Sequence, residues 1–299
     1  MSQGQFLFLH AQTGLHPGAG TSLGVIDLPV QRERHTDWPT IPGSTLKGVM
    51  RDACRQAHNG KAREADNDPE LTAAFGPPTE RAHEHAGALT LTDARILAFP
   101  VRSLCGVFAW ITCPAVVERL GRDLSVAGGS LTLAVPAVEN DRVLCAEKSP
   151  LLAAKDSIVL EEFDFSRVGD PPSPLVDFIA SAVHESAAPR VRDHLAVLSD
   201  DDFGYFVRRA TEVVARVALE YDRKTVRQGA LFYQEFLPAE TVFYALAIAS
   251  ASRRDSDATD ANGILQYLAD RLPPVLQLGG DESIGKGICF ARLEEAGGK

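Results

Sequence analysis

Leu15-His-Pro-Gly-Ala-Gly-Thr-Ser-Leu-Gly-Val-Ile-Asp-Leu-Pro-Val-Gln-Arg-Glu-Arg-His-Thr36 holds the side chains with the most chemistry to offer: His16, Asp27, Arg32, Arg34 and His35, set among glycines and prolines. A carboxylate among cations can hold a divalent ion or take a proton from a hydroxyl, while guanidinium groups neutralise a phosphate. The plainer alternative makes Asp27 a turn residue and pairs the arginines with Glu33. The residue types leave these two readings level.

A second set lies just downstream. Lys47, Arg51 and Arg55 recur at i, i+4 and i+8, one basic stripe along a helix, a form suited to a run of phosphates. The helix start, Pro42-Gly43-Ser44-Thr45, offers free backbone N–H groups to an anion. Near the other end of the chain, Gly280-Asp-Glu-Ser-Ile-Gly285-Lys286-Gly287 matches G-x-x-x-x-G-K, with Gly where a nucleotide-binding loop needs Ser or Thr for magnesium. Too little chain follows for the helix and sheet of such a domain. Its glycines still let a phosphate backbone approach the amides near Ser283 and Lys286.

Other patterns lead less far. Ser44-Thr-Leu-Lys47 fits the S-x-x-K acyl-enzyme signature, but neither S-D-N nor K-T-G follows. His83-Glu-His85 lacks a third spaced ligand and reads as solvated. Phe203, Tyr205 and Phe206 read as core rather than a base-stacking platform.

The elements that must position these residues follow from periodicity. A strand is predicted at Gln5–His10, then a long loop from Thr13 to Pro42, then a helix over Ser44–His58. On that helix Leu46, Val49, Met50, Ala53, Cys54 and Ala57 share one apolar face. An acidic stretch, Glu64–Glu84, reads as a surface insertion. Strand-like runs follow at Leu89–Phe99, Val107–Cys113, Leu131–Val135, Val143–Ala146, Ile158–Phe165, Val213–Glu220, Leu231–Leu237 and Val242–Ala249. Helical runs lie at Pro114–Arg122, Leu175–His184 and Ala261–Arg271. Strands and helices without a regular βαβ alternation predict an α+β fold.

Composition sets the outer bounds. The chain has 299 residues, 45% apolar and 23% charged, with a net charge of −10, and reads as globular. Residues 1–63 carry seven Lys and Arg against four Asp and Glu, so a +3 segment sits on an acidic body, suggesting a defined polyanion contact rather than a coat of basic residues. Five scattered cysteines without a C-x-x-C pair argue against a disulfide framework or thiolate zinc site. No apolar run reaches membrane-spanning length, and the start lacks a secretory-signal pattern, so a cytoplasmic protein is expected.

Several separated motifs, in order, resemble one family: His16-Pro-Gly18, Gly24 to Thr36, Ile41-Pro-Gly-Ser-Thr-Leu-Lys-Gly48, Phe75-Gly-Pro-Pro78, Asp93-Ala-Arg95, Phe99 to Leu104, Gly106 to Pro114, Glu161-Glu-Phe163, Leu278-Gly-Gly280 and Gly285-Lys-Gly287. They are similar to the RAMP-superfamily backbone subunits of type III-B CRISPR effectors, the fourth-subunit family of the Cmr complex. The resemblance implies a single domain over 1–299, with an RRM-like, ferredoxin-type core, insertions and the long N-terminal functional loop. It also implies head-to-tail stacking of copies on CRISPR RNA beside other Cmr subunits, with no membrane partner. Guide contacts would come from Ser44, Lys47 and Arg51 and from the loop carrying Gly279, Gly280, Ser283, Gly285 and Lys286, with Thr45 and Arg55 as further RNA contacts and Arg32 or Arg34 offsetting charge on the phosphorane. A β-hairpin thumb is placed at 137–165. Asp27 would be the target-cleavage residue and ligand of a divalent metal, magnesium or manganese, bound with target RNA. His16 and, through Leu231-Phe-Tyr-Gln-Glu-Phe-Leu-Pro238, Glu235 and Tyr233 would assist.

The physics is consistent with that placement. RNA is cut by its own 2′-hydroxyl once that oxygen lies in line with the leaving 5′-oxygen, and A-form stacking keeps it out of line. Unstacking one nucleotide frees the backbone for attack. A purely structural RNA-binding subunit with cutting elsewhere remains the alternative, and an unrelated acidic metabolic enzyme a more distant one.

Overall fold

The structure, a computed structural model, describes residues 3–22, 24–57, 66–129, 132–154, 156–254 and 257–295. The end of the predicted first helix, His58, and the basic residues Lys61 and Arg63 lie outside them.

Phe6-Leu-Phe-Leu9 is apolar without alternation because its strand is buried on both faces. This strand, β1 (Gln3–Ala11), is an interior strand of the sheet, paired on both edges. It is followed by β2 (Thr40–Ile41), β3 (Leu89–Leu91), β4 (Ala94–Arg102), β5 (Phe108–Thr112), β6 (Arg142–Leu144), β7 (Leu152–Ala154), β8 (Ser157–Leu160) and β9 (Phe163–Gly169). The later strands are β10 (Leu195–Val197), β11 (Glu212–Arg216), β12 (Phe232–Phe236), β13 (Val242–Ala249), β14 (Val275–Gln277) and β15 (Ile288–Glu295). The helices are α1 (Gly43–Ala57), α2 (Pro69–Phe75), α3 (Pro114–Val126), α4 (Ser173–Ser181), α5 (Ala188–His194), α6 (Asp200–Arg209) and α7 (Ala261–Arg271).

Thirteen strands form one sheet in the order β14-β15-β1-β13-β4-β5-β10-β6-β9-β8-β7, with β2 on β4 and β3 on β13. The mixed α/β architecture agrees with the predicted mixture of strands and helices. Next to the β14 end, β15, β1, β13 and β4 are successive antiparallel neighbours. The chain passes through α1 between β1 and β4, and through α7 between β13 and β15.

Helix α1 buries Leu46, Met50 and Cys54 as its periodicity predicts. At its first residue, Gly43, a Cβ would lie 2.5 Å from the Leu91 carbonyl oxygen, so glycine is what lets the helix start approach that strand. The Gly43 N–H donates to Asp93 Oδ1 at 2.7 Å. Two expectations are corrected. The acidic stretch is not all surface: Asp68 caps α2, Pro69 begins it, and Leu71 to Phe75 are buried as α2 packs on α7 and α1. Leu131–Val135 forms no strand over its described residues, although Leu133 is buried.

The segment 137–165, where the thumb is expected, lies on the large sheet. That segment does not stand clear of the body; its strands form one end of the large sheet and bury Val143, Ile158, Leu160 and Phe165. The part that forms a separate sheet is the β11–β12 hairpin, whose connection leaves Val217, Leu219 and Val226 exposed and Tyr221 86% exposed. Lys155 lies outside the described residues.

Four of the five cysteines are buried, and burial pushes the Cys54 and Cys145 thiols up to about 11 and that of Cys289 to about 12. Above the ordinary thiol value of 9.0 the unfolded chain loses protons that the folded chain keeps, so stability falls with rising pH. The urea midpoint is expected to drop between about pH 9 and 11, less steeply in Cys289→Ala, whose midpoint series checks the assignment. Among the described residues, no helix is long and apolar enough to cross a membrane.

Candidate functional site

The site is built on β12. The Tyr233 N–H and the Glu235 carboxylate hold the N-terminal loop, while the side chains of Gln234 and Phe236, on the opposite face from that of Glu235, engage the glycine-rich loop. Residues 27–32 run beside β12 without forming a named strand. The Leu28 N–H donates to the Tyr233 carbonyl and the Glu235 N–H to the Leu28 carbonyl, each at 3.0 Å. This pairing places Asp27 at the root of the free hairpin. Its Oδ2 accepts from the Tyr233 N–H at 2.7 Å, and the carboxylate is half-buried. Tyr233 is 39% exposed beside it.

Glu235 is 3% exposed, and both its carboxylate oxygens are engaged: Oε2 accepts from the Val30 N–H at 3.0 Å and Oε1 from Arg32 Nη2 at 2.6 Å. Arg32 also donates through Nη1 to the carbonyls of Asp37 at 2.9 Å and Val207 at 3.1 Å. Arg34 and His35 are exposed, with His35 3.9 Å from Glu33. Glu33 itself holds Arg119, at 2.7 Å, rather than Arg32 or Arg34.

His16 is buried, its Nδ1 2.7 Å from the Glu235 carbonyl. A carbonyl only accepts, so Nδ1 carries a proton, and in the Nδ1–H tautomer the lone pair lies on Nε2. A Cβ at position 18 would sit 2.9 Å from Nε2, so Gly18 leaves that nitrogen uncovered by a side chain.

The glycine-rich loop is stitched to the same place. Gly280 N–H donates to the His16 carbonyl at 3.0 Å and Gly287 N–H to the Gly14 carbonyl at 2.9 Å. Gly279 has φ +79°, and a Cβ there would lie 2.2 Å from the His16 carbonyl oxygen. Ser283 and Gly285 are exposed. Lys286 Nζ lies 4.8 Å over the Phe236 ring, and Arg216 Cζ lies 5.5 Å from the same ring. Asp281 ties loop to hairpin, accepting from Gln234 at 2.6 Å and pairing with Arg216 at 3.2 Å. Arg216, Gln234, Phe236 and Asp281 were not singled out by sequence; only the strand period around Tyr233 and Glu235 pointed toward two of them.

The structure thus unites His16, Asp27, Arg32, Tyr233, Glu235 and the Gly279–Lys286 loop. The α1 stripe sits apart from these contacts, and two of its three cations share one counter-charge, Asp66. Ser44 is exposed and Thr45 half-buried at the helix start. Lys47 Nζ donates to the Leu89 carbonyl at 3.0 Å, and burial, with Arg51 and Arg253 nearby, holds its pKa below the usual lysine range. Arg51 reaches Asp66 at 3.6 Å, and Arg55 forms a closer pair with the same carboxylate. The two arginines and Asp66 line a groove of about 420 Å³ with Pro77, Pro78 and Thr79.

Phe203 and Phe206 are core, as expected, whereas Tyr205 is 42% exposed. Among the described residues no three His, Cys, Asp or Glu side chains converge to hold a metal. Asp27 therefore offers a single carboxylate with one oxygen outside the Tyr233 hydrogen bond. That donor set matches a metal completed by substrate oxygens and water, as is common for magnesium, and not a protein-built cage.

A mixed α/β protein with one large sheet, a separate hairpin and a carboxylate loop pinned to that hairpin is the class this fold and site define. The chain belongs to the RAMP superfamily, whose family model matches residues 8–289. Aligned by sequence, it is 37% identical over 291 residues to the CRISPR system Cmr endoribonuclease Cmr4 of Pyrococcus furiosus, covering 96% of this chain and 94% of that protein. Superposed by structure, it matches the crystal structure of oligomeric Cmr4 from Pyrococcus furiosus with a TM-score of 0.75 and 28% identity, covering 98% of this chain and 99% of the other. A chain of the type III-B Cmr-beta complex bound to cognate target RNA has the same fold, with a TM-score of 0.74 at 23% identity over 97% of this chain and 96% of that one.

Proposed function

We propose that this chain is a backbone subunit of a type III-B CRISPR effector, which binds CRISPR RNA as a filament of its own copies, contacts other Cmr subunits, and cuts complementary target RNA at regular intervals. The end-to-end likeness to a protein named as an endoribonuclease supports the class. The observation that carries the chemistry is the bond from Asp27 to Tyr233 at the root of the free hairpin. The antiparallel order β15-β1-β13-β4, with α1 and α7 as its two crossovers, supports reading these four strands as an RRM-like, ferredoxin-type core within a single domain. The β11–β12 hairpin, with its exposed Tyr221, is read as the thumb.

In this reading the hairpin unstacks one target nucleotide, which releases the backbone to bring its 2′-hydroxyl in line. Attack by the 2′-oxygen forms a 2′,3′-cyclic phosphate and breaks the bond from phosphorus to the 5′-oxygen, which leaves with a proton from water, while Asp27 faces the linkage with its free carboxylate oxygen, in position to accept the hydroxyl proton or to ligate a cation. A divalent ion, magnesium or manganese, bound with target RNA through Asp27, would neutralise phosphate charge. His16 presents its Nε2 lone pair, and Tyr233 borders the linkage. Arg34, Lys286 and the amides near Ser283 supply contacts to the RNA backbone. The protein works in the cytoplasm in this reading.

Guide contact by the α1 stripe requires phosphate to compete with Asp66. Asp66→Asn is expected to tighten guide binding and to steepen its salt dependence by about one to two released counterions, read as the slope of log affinity against log salt.

The deciding experiment incubates the reconstituted complex with labelled RNA complementary to the guide, with divalent metal and with chelator, using the natural chain and Asp27→Ala. Regularly spaced products lost in Asp27→Ala and in chelator, with target still bound, are expected. An undiminished ladder from Asp27→Ala assigns cutting elsewhere and leaves the chain a scaffold.

A further inference from the structure

Glu235 and Arg32 have the residue types of an acid–base helper and a phosphate contact, yet both Glu235 carboxylate oxygens and both Arg32 Nη atoms are already engaged inside the protein. Four of the contacts that fix the Asp27 loop run through Glu235. Its backbone N–H holds the Leu28 carbonyl, its carbonyl holds His16 Nδ1, and its carboxylate takes the Val30 N–H and Arg32 Nη2. Backbone pairing between the loop and β12 ends at Leu28, the last bridge being Leu28 to Gln234. Where it ends, the Glu235 carboxylate stands in for the missing strand carbonyl and captures Val30. Arg32 closes the far side, since its other nitrogen spans the Asp37 carbonyl of the loop and the Val207 carbonyl of α6. Its side chain is 15% exposed and that of Glu235 4%, so both charges lie inside the protein.

We infer that Glu235 and Arg32 are positioning residues, an internal buckle that sets the height and angle of Asp27 at the hairpin root, and that neither exchanges a proton with the RNA nor contacts its phosphates. The inference rests on the proposed cleavage role of Asp27. The buckle fixes both candidate reacting groups at once, because the same residue that holds Val30 also holds the His16 ring in one tautomer. Misplacing a reacting group by about 1 Å costs roughly a hundredfold in rate, so a small slackening here is expected to be felt in cutting.

The test uses Glu235→Gln, which retains shape but cannot accept from both partners, and Arg32→Lys, which retains charge but cannot span three acceptors. In the reconstituted complex each is expected to cut roughly a hundredfold more slowly, with guide and target affinity, salt slope and pH–rate profile shape retained. The double variant is expected to be no slower than the worse single one, as for residues acting as a unit. Loss of one limb of the pH–rate profile in Glu235→Gln overturns the inference in favour of direct proton transfer. A weaker affinity and a shallower salt slope in Arg32→Lys overturn it in favour of an RNA contact. A second readout is independent of cutting: in the RNA-free chain the Val30 amide is expected to exchange with deuterium faster in both variants than in the natural protein. Unchanged Val30 exchange refutes the buckle itself. Faster exchange with a cleavage ladder that Asp27→Ala also leaves intact keeps the buckle and refutes the cleavage assignment.

Discussion

Asp27→Asn is expected to slow target cutting by roughly 10²- to 10⁴-fold, the usual contribution of a positioned acid or base, while target binding holds. The asparagine is the informative change. Its side-chain oxygen still accepts the Tyr233 N–H that Asp27 Oδ2 accepts at 2.7 Å, so the loop stays pinned to β12. What disappears is the negative charge and its capacity to take a proton or ligate a cation. Single-turnover cleavage by the assembled complex, beside a filter-binding measurement of target affinity, separates the two quantities. If Asp27 were only a turn residue, Asn would support nearly full activity, because the turn-forming bond survives. Comparison with Asp27→Ala then isolates the bond: the alanine variant loses the pin as well, and its 27–32 segment is expected to exchange amide protons faster.

The second large effect is structural and concerns the contact between the two ends of the chain. Gly279→Ala is expected to destabilise the fold by about 2–5 kcal/mol, combining strain at a positive φ of about 1–3 kcal/mol with a forced displacement of similar size. The added methyl would meet the backbone of His16, its oxygen at 2.2 Å and its carbon at 2.7 Å, and neither can turn aside as a flexible side chain can. Gly285→Ala is the control: φ is also positive, +77°, but no atom lies within 4 Å of the new methyl. It is expected to lose only the strain, about 1–3 kcal/mol. Urea midpoints of the two variants check the difference. Guide affinity is expected to fall in Gly279→Ala because the loop and His16 move together.

The parts legible from sequence were those with a period of their own. The apolar face of α1, the both-sides-buried run of β1 and the start and end of α7 follow from local spacing. So did the composition of the N-terminal loop, whose His16 and Asp27 the structure draws to one strand. The rest depended on what packs against what. Seven residues of α2 cannot display a helical face, and their Asp68-Pro69 start was submerged in an acidic stretch. Leu131–Val135 alternates like a strand, yet no partner strand takes up its described residues, 132–135. The hairpin at 212–236 and the segment 137–165 both alternate, and only tertiary contact decides which stands free. The basic stripe of α1 is correctly spaced, but its counter-charge, Asp66, lies beyond the helix, where helical spacing says nothing. Glu235 illustrates the same limit at the site: sequence gives a carboxylate near a tyrosine, whereas its two oxygens are already occupied.

The borders of the large sheet shape how copies can assemble. Its end strands, Val275–Gln277 and Leu152–Ala154, are each three residues long. Such short borders offer little template for a strand of another molecule. Neighbours in the proposed filament are therefore joined through side chains and through the RNA they share, not by extending one hydrogen-bonded ladder. An assembly made that way has no intrinsic length: it stops where the nucleic acid stops, and the guide acts as its ruler.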